Sequence, residues 1–177
     1  MLLTIQTGNV VDELGFEAGY KALREAGFEA IDWNIDVVWN KESLERTEKL
    51  EDFCIFERSQ EEIDAYFADE LAEIHKNGLE ITQAHAPFPC FLPGRRDVLE
   101  YAITCYKNMI LFLDRVGCRH VVIHGITRQE LMEETQEEID ALNLYLYESL
   151  IPTLQKTKQI KVCLVNLFTG LLKLARG

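Results

Sequence analysis

The sequence predicts an α/β fold: about five parallel strands in one sheet, with helices covering its outer face. Three observations carry this reading. Short apolar segments alternate with longer ones whose apolar residues recur every three or four positions, in the order βαβαβαβαβ, and strands joined by crossover helices form parallel sheets. A glycine closes the first three main helical segments (Gly27, Asn77-Gly78, Gly117), each just ahead of a strand. The length of 177 residues supports one domain with a real core, taken as residues 1–177, yet falls short of the roughly 250 residues typical of a closed eight-fold β/α barrel.

The elements follow in order. Leu2–Gln6 is a short apolar strand, and Gly8-Asn9 reads as a turn. Phe16, Tyr20 and Leu23 then mark one face of a helix. Strand two covers residues 28–35. A long connection, 36–58, holds Trp39, Phe53, Cys54 and Phe56 among charges, with a helical piece from Lys41 to Leu50. Ile63, Phe67, Leu71 and Ile74 stripe the next helix, and strand three follows from Leu79 to Ala86. Val98, Ala102, Cys105, Met109, Phe112 and Val116 line a long helix leading to strand four, Arg119–Ile126. Ile139, Leu142, Leu146 and Leu150 mark the next helix, which Pro152 is expected to bend or end. The acidic stretch Glu130–Asp140 reads as a solvated helix face. Lys161–Leu167 is strand five, and the tail from Gly170 has the pattern of another helix start.

Composition narrows the function. Apolar content of 47% and charged content of 27% place the chain among ordinary globular proteins. A net charge of −12 argues against nucleic acid or an anionic membrane as partner, since both need a basic face. The N-terminus has neither a basic region nor a small-residue cleavage site, so no signal peptide is expected. Apolar runs such as Met109–Leu113 are far too short to cross a bilayer. The five cysteines (54, 90, 105, 118, 163) are widely spaced, odd in number and without C-x-x-C, which reads as reduced thiols in the cytoplasm. The absence of G-x-G-x-x-G, of a P-loop and of G-x-S-x-G counts against dinucleotide, nucleotide and nucleophile-elbow chemistry.

Two histidines stand at successive strand ends. His85 closes Gln83-Ala84-His85-Ala86-Pro87-Phe88, and His124 closes Val121-Val122-Ile123-His124-Gly125. Ligands and catalytic groups gather at the carboxyl ends of parallel strands. An imidazole there can hold a divalent metal, bind a substrate hydroxyl or pass a proton. Asp32 lies inside apolar strand two, where a carboxylate needs a partner or a rim position. Trp33, Trp39, Phe88 and Phe91 are placed near the same rim, where an aromatic ring can stack on a sugar. Core packing is the plainer role for any one of them. Asp36 reads as a loop or cap residue and His75 as surface. His120, at the start of strand four, is expected at the wrong end for the site.

Taken together, Gly27-Phe28-Glu29-Ala30-Ile31-Asp32, Gln83-Ala84-His85-Ala86-Pro87-Phe88, Val122-Ile123-His124-Gly125 and Val162-Cys163-Leu164-Val165-Asn166-Leu167 resemble the xylose isomerase-like barrels. That superfamily includes sugar phosphate isomerases/epimerases and the endonuclease IV group. The resemblance runs over the whole chain as the first five β/α elements, and so implies a partial TIM (β/α) barrel. It implies metal-assisted proton transfer on a ketose or aldose, with Mn, Mg, Co or Zn as the divalent cofactor and a small sugar or sugar phosphate as partner. It places His85, His124 and Asp32 as substrate-binding residues, to which Trp33 is added from its place near the rim, with His85 and His124 able to take a metal, and it assigns no catalytic residue. The family's fifth-strand metal ligand is a Glu, and Val165 stands in its place. Later strands, which carry the remaining ligands, are not in the chain. It is therefore expected to be inactive alone, as the shortened or frameshifted form of a longer gene. A sugar-binding or assembly half-barrel is the alternative, and an endonuclease IV-like hydrolase the third choice. Unpaired edges and an exposed apolar inner face are expected to drive self-association through strand five (Val162, Leu164, Leu167) and the tail (Leu171, Leu172, Leu174).

Overall fold

The computed structural model describes residues 2–35, 39, 41–127 and 133–165, Val165 by its backbone only. Five strands form one sheet: β1 (Thr4–Gln6), β2 (Ala30–Asn34), β3 (Glu80–His85), β4 (His120–His124) and β5 (Lys161–Val165). Neighbours pair in parallel in the order β1-β2-β3-β4-β5, as expected for consecutive βαβ units. The helices are α1 (Gly8–Glu25), α2 (Lys41–Arg46), α3 (Gln60–Lys76), α4 (Arg96–Arg115) and α5 (Gln136–Leu154), with a 3-10 turn at Ile55–Glu57. No helix among the described residues is long and apolar enough to cross a membrane.

The helix ends explain why the strands start later than expected. Gly27, Gly78 and Gly117 adopt φ of 94°, 63° and 86°. Each lets the chain fold back so that the next residue's N–H reaches a carbonyl of the last helical turn: Phe28 to Leu23, Leu79 to Ile74 and Cys118 to Leu113. Those N–H groups belong to the helix cap and not to the sheet. The helix starts are equally explicit. Ser59 with Glu62, and Thr135 with Glu138, form reciprocal capping boxes at α3 and α5. Glu138 is thus an exposed residue of the acidic stretch that also serves as a capping group.

Three further expectations are corrected. Gly8-Asn9 is the first turn of α1, not a free turn, and the helix breaks at Gly15, where φ is 76°. The break precedes Phe16, Tyr20 and Leu23, so the three keep one face, with Phe16, 45% exposed, set against the buried Tyr20 at 6.5 Å between ring centroids. The piece starting at Lys41 ends at Arg46, before Leu50. Pro152 lies in the last turn of α5, which continues to Leu154. The expected extension of β5 to Leu167, and the tail, lie outside the described residues.

The two faces of the sheet differ in chemistry. Ile31, Trp33, Ala84, Val121 and Ile123 are at most 1% exposed and join the core beneath the helices. Their strand neighbours point the other way. That inner face carries Thr4, Gln6, Asp32, Gln83 and His120 along an open cleft, so it is polar where an apolar surface was expected. The cysteines among the described residues are free thiols, and four of the five are buried.

Candidate functional site

A β-bulge creates the centre of the site. Between Ile31 and Asp32 the β2–β3 register slips, so Ile31 pairs with Ile81 but Asp32 pairs with Gln83. Thr82, the extra residue, donates its hydroxyl to the Ile31 carbonyl at 3.2 Å. The slip puts Asp32, Gln83 and His85 on one face. Gln83 Nε2 donates to Asp32 Oδ2 at 2.7 Å, and His85 Nδ1 lies 2.9 Å from Asp32 Oδ1. A carboxylate only accepts, so Nδ1 of His85 carries the proton of this bond, and in the neutral ring Nε2 carries the lone pair. This is the orientation that a carboxylate–histidine pair gives to an imidazole serving a ligand.

His124 stands beside it, with the two ring centroids 5.7 Å apart. Its strand end is fixed from behind. Asn143, 3% exposed on α5, accepts from Ile126 N at 2.7 Å and donates to Ile126 O at 2.8 Å. Gly125 makes this approach feasible, because a Cβ there would meet Asn143 Oδ1 at 2.9 Å and Tyr147 Oη at 3.0 Å. The β3 loop is tied down by the buried Tyr106, whose hydroxyl donates to Pro87 O at 2.5 Å. That loop sets the Phe88 ring edge-on to His124 at 5.2 Å between centroids. Nδ1 of His124 is buried with no hydrogen-bond partner among the described residues. Burial first, and the neighbouring His85 second, hold the His124 pKa below that of an ordinary imidazole.

This shift has a defined sign. The unfolded chain binds a proton at His124 more readily than the folded one. The residue's contribution to stability is therefore complete above the unfolded pKa of about 6.5 and is lost as pH falls through the lower folded value. In an NMR titration the His124 Cε1–H resonance should turn over below that value, and His85→Ala should move its midpoint up. A midpoint at or above an ordinary histidine's would contradict the arrangement.

Trp33 is not at this site. It alternates with Asp32 along β2 and faces the helices, 1% exposed, against Phe67 at 5.3 Å and Phe112 at 5.9 Å, with Nε1 donating to Glu70 at 2.9 Å. Trp39 is likewise buried, stacked on Tyr106. Of the four aromatics expected near the rim, Phe88 meets His124, and Phe91 lines the adjoining groove with it. His120 shares the inner-face cleft with Asp32 and Gln83 despite its position at the strand start, with Nδ1 3.2 Å from Thr82 O. His75 is exposed. Asp36 lies outside the described residues. Gln83, the second partner of Asp32, is the residue that sequence reasoning missed.

The donor set among the described residues does not fit a metal. Among the described residues no three His, Cys, Asp or Glu side chains converge on one point. The Asp32 carboxylate is engaged by Gln83 and His85, and Val165, where the resemblance implies a Glu, pairs with His124 in register.

The architecture is similar to that of several solved barrels. The chain superposes on 3-keto-D-glucoside 4-epimerase YcjR of E. coli with TM-score 0.62 and 14% identity, covering 93% of this chain and 55% of that one. A D-tagatose 3-epimerase-like protein matches with TM-score 0.62 and 19% identity, covering 96% and 54%. A sugar phosphate isomerase/epimerase of Parabacteroides distasonis matches with TM-score 0.57 and 14% identity, covering 92% and 50%. The chain thus spans about half the length of these structures, and at such identities the likeness shows the fold alone: a partial TIM barrel. No family model matches the chain, and no curated protein does.

Proposed function

We propose that this chain carries the early-strand half of a sugar-binding site of the isomerase/epimerase kind, for a ketose, an aldose or a sugar phosphate. The observation that supports this reading best is the His85–His124 pair, 5.7 Å apart at adjacent strand ends, with His85 held by Asp32. Two imidazoles side by side at adjacent strand ends can each reach a different oxygen of one sugar. His85 Nε2 accepts one hydroxyl proton, and His124, kept neutral by its surroundings, donates to or accepts from the next oxygen. Phe88, 39% exposed, offers an apolar wall for the C–H face of the ring. Isomerisation also requires a base that moves a carbon-bound proton. Asp32 is committed to His85 and Gln83, so this chain by itself binds sugar and turns it over poorly.

A titration of the full chain with ketohexoses and ketohexose phosphates, followed by the His85 and His124 Cε1–H resonances, tests the reading. Saturable shifts of both rings are expected, lost in His85→Ala. Deuterium uptake from solvent at the sugar carbons reads any turnover. Unmoved rings at about 10 mM sugar, well above a millimolar Kd, would end the proposal.

The second reading, an assembly half-barrel, draws support from the edges. Leu164 on β5 is 56% exposed, and among the described residues β1 and β5 each have one strand neighbour in the sheet. Two copies closing on each other would scatter light as a dimer.

A further inference from the structure

We propose that the cleft between α1, α3 and the end of β2 is a binding site for a small organic amine, separate from the sugar site and independent of it. The cleft has a volume of about 330 Å³. Its polar centre is Glu70, on α3. Tyr20 Oη and Trp33 Nε1 both donate to the same oxygen, Oε1, at 2.5 and 2.9 Å. Oε2 receives no hydrogen bond from the described residues. Two neutral donors orient this carboxyl group without neutralising it.

The rest of the lining has the chemistry of a cation site. Asp12 adds a second carboxylate, and no Lys or Arg among the described residues lines the cleft. Phe16 and Tyr66, both on the lining, are 45% and 60% exposed. Large aromatic rings held in solvent beside carboxylates fit an alkylammonium group, which takes the charge on one side and the ring faces on the other. Burial, and the repulsion of Asp12, raise the Glu70 pKa, the behaviour of a carboxylate that lacks a positive partner. An anionic ligand such as a phosphate would meet two like charges here. The small cleft suits a free amine better than a folded partner.

The Trp33 indole N–H is a built-in reporter, since it bonds the proposed acceptor. Titrating the full chain with n-propylammonium should shift this resonance saturably, at millimolar amine. The same concentrations of n-propanol, propionate and sodium chloride should not. Glu70→Gln keeps an oxygen for Tyr20 and Trp33 while removing the charge, and should weaken binding about 10- to 100-fold, as expected for a charge-assisted hydrogen bond. Tyr66→Ala removes a ring that is 60% exposed, and should weaken binding about 2- to 5-fold. No saturable shift, an equal response to n-propanol, or unchanged binding in both variants overturns the proposal. A short lysine peptide that shifts Trp33 where propylammonium does not would overturn the free-amine assignment. None of these outcomes depends on sugar binding at His85 and His124.

Discussion

Replacing Phe112 by Ala should cost about 3–5 kcal/mol of folding stability, a large part of the roughly 5–15 kcal/mol that a single domain has. Phe112 is 0% exposed on α4. Its ring stacks on Phe67 at 5.0 Å and meets Trp33 at 5.9 Å and Phe56 at 6.2 Å. One side chain thus joins α3, α4, β2 and the 3-10 turn before α3. Removing it opens a void bordered by three rings from three elements, which cannot all collapse inward. Urea unfolding should show the midpoint falling with little change in slope. Phe112→Leu, which keeps most of the volume, should cost less than half as much. Tyr66→Ala, at a site 60% exposed, should lie within about 0.5 kcal/mol of the parent. A Phe112→Ala loss below about 1 kcal/mol would mean that the ring cluster is not the centre of this core.

The sheet order was legible because its signals are local. Each β/α unit is short, and the three glycines at φ of 63° to 94° stand where helices hand over to strands. The meeting of His85 and His124 was legible for a related reason, since two residues ending adjacent parallel strands on one face share a rim. Two readable signals passed unused. Ser59-x-x-Glu62 and Thr135-x-x-Glu138 spell capping boxes, and they place the starts of α3 and α5. The alternation Ile31-Asp32-Trp33 already sends Asp32 and Trp33 to opposite faces, so Trp33 belonged with the core. The bulge at Thr82 had no such signal. Without it Asp32 would pair with Thr82, and Gln83 would point at the helices. Only the assembled β2–β3 ladder shows that Gln83 and His85 hold the same carboxylate. Glu70 was hidden differently. It sits in a charged helix, and its environment comes from Tyr20 and Trp33, 50 and 37 residues away.

Asp32→Ala should abolish most sugar binding, by about 10- to 100-fold, while costing far less stability than Phe112→Ala. The change strips one partner from each of two side chains. His85 loses the acceptor that sets its tautomer, so the proton redistributes between Nδ1 and Nε2 and the ring is free to rotate. Gln83 keeps an amide with no anion to meet. Both groups lie on the open inner face, where water can replace the lost partner, so the folding penalty stays small. Asp32→Asn separates charge from geometry. If its Oδ1 faces His85, the Nδ1–H tautomer survives, and Gln83 can turn its amide to accept from the new Nδ2. If its Nδ2 faces His85, the imidazole must accept at Nδ1 and carry its proton on Nε2, which then donates where it formerly accepted. ¹⁵N NMR of the imidazole distinguishes these tautomers directly. The affinity of Asp32→Asn should follow the tautomer: near the parent when Nδ1 is protonated, near the Ala variant when Nε2 is. An Asp32→Ala protein that binds sugar as well as the parent would show that His85 needs no holding, and that the carboxylate serves the sheet and not the site.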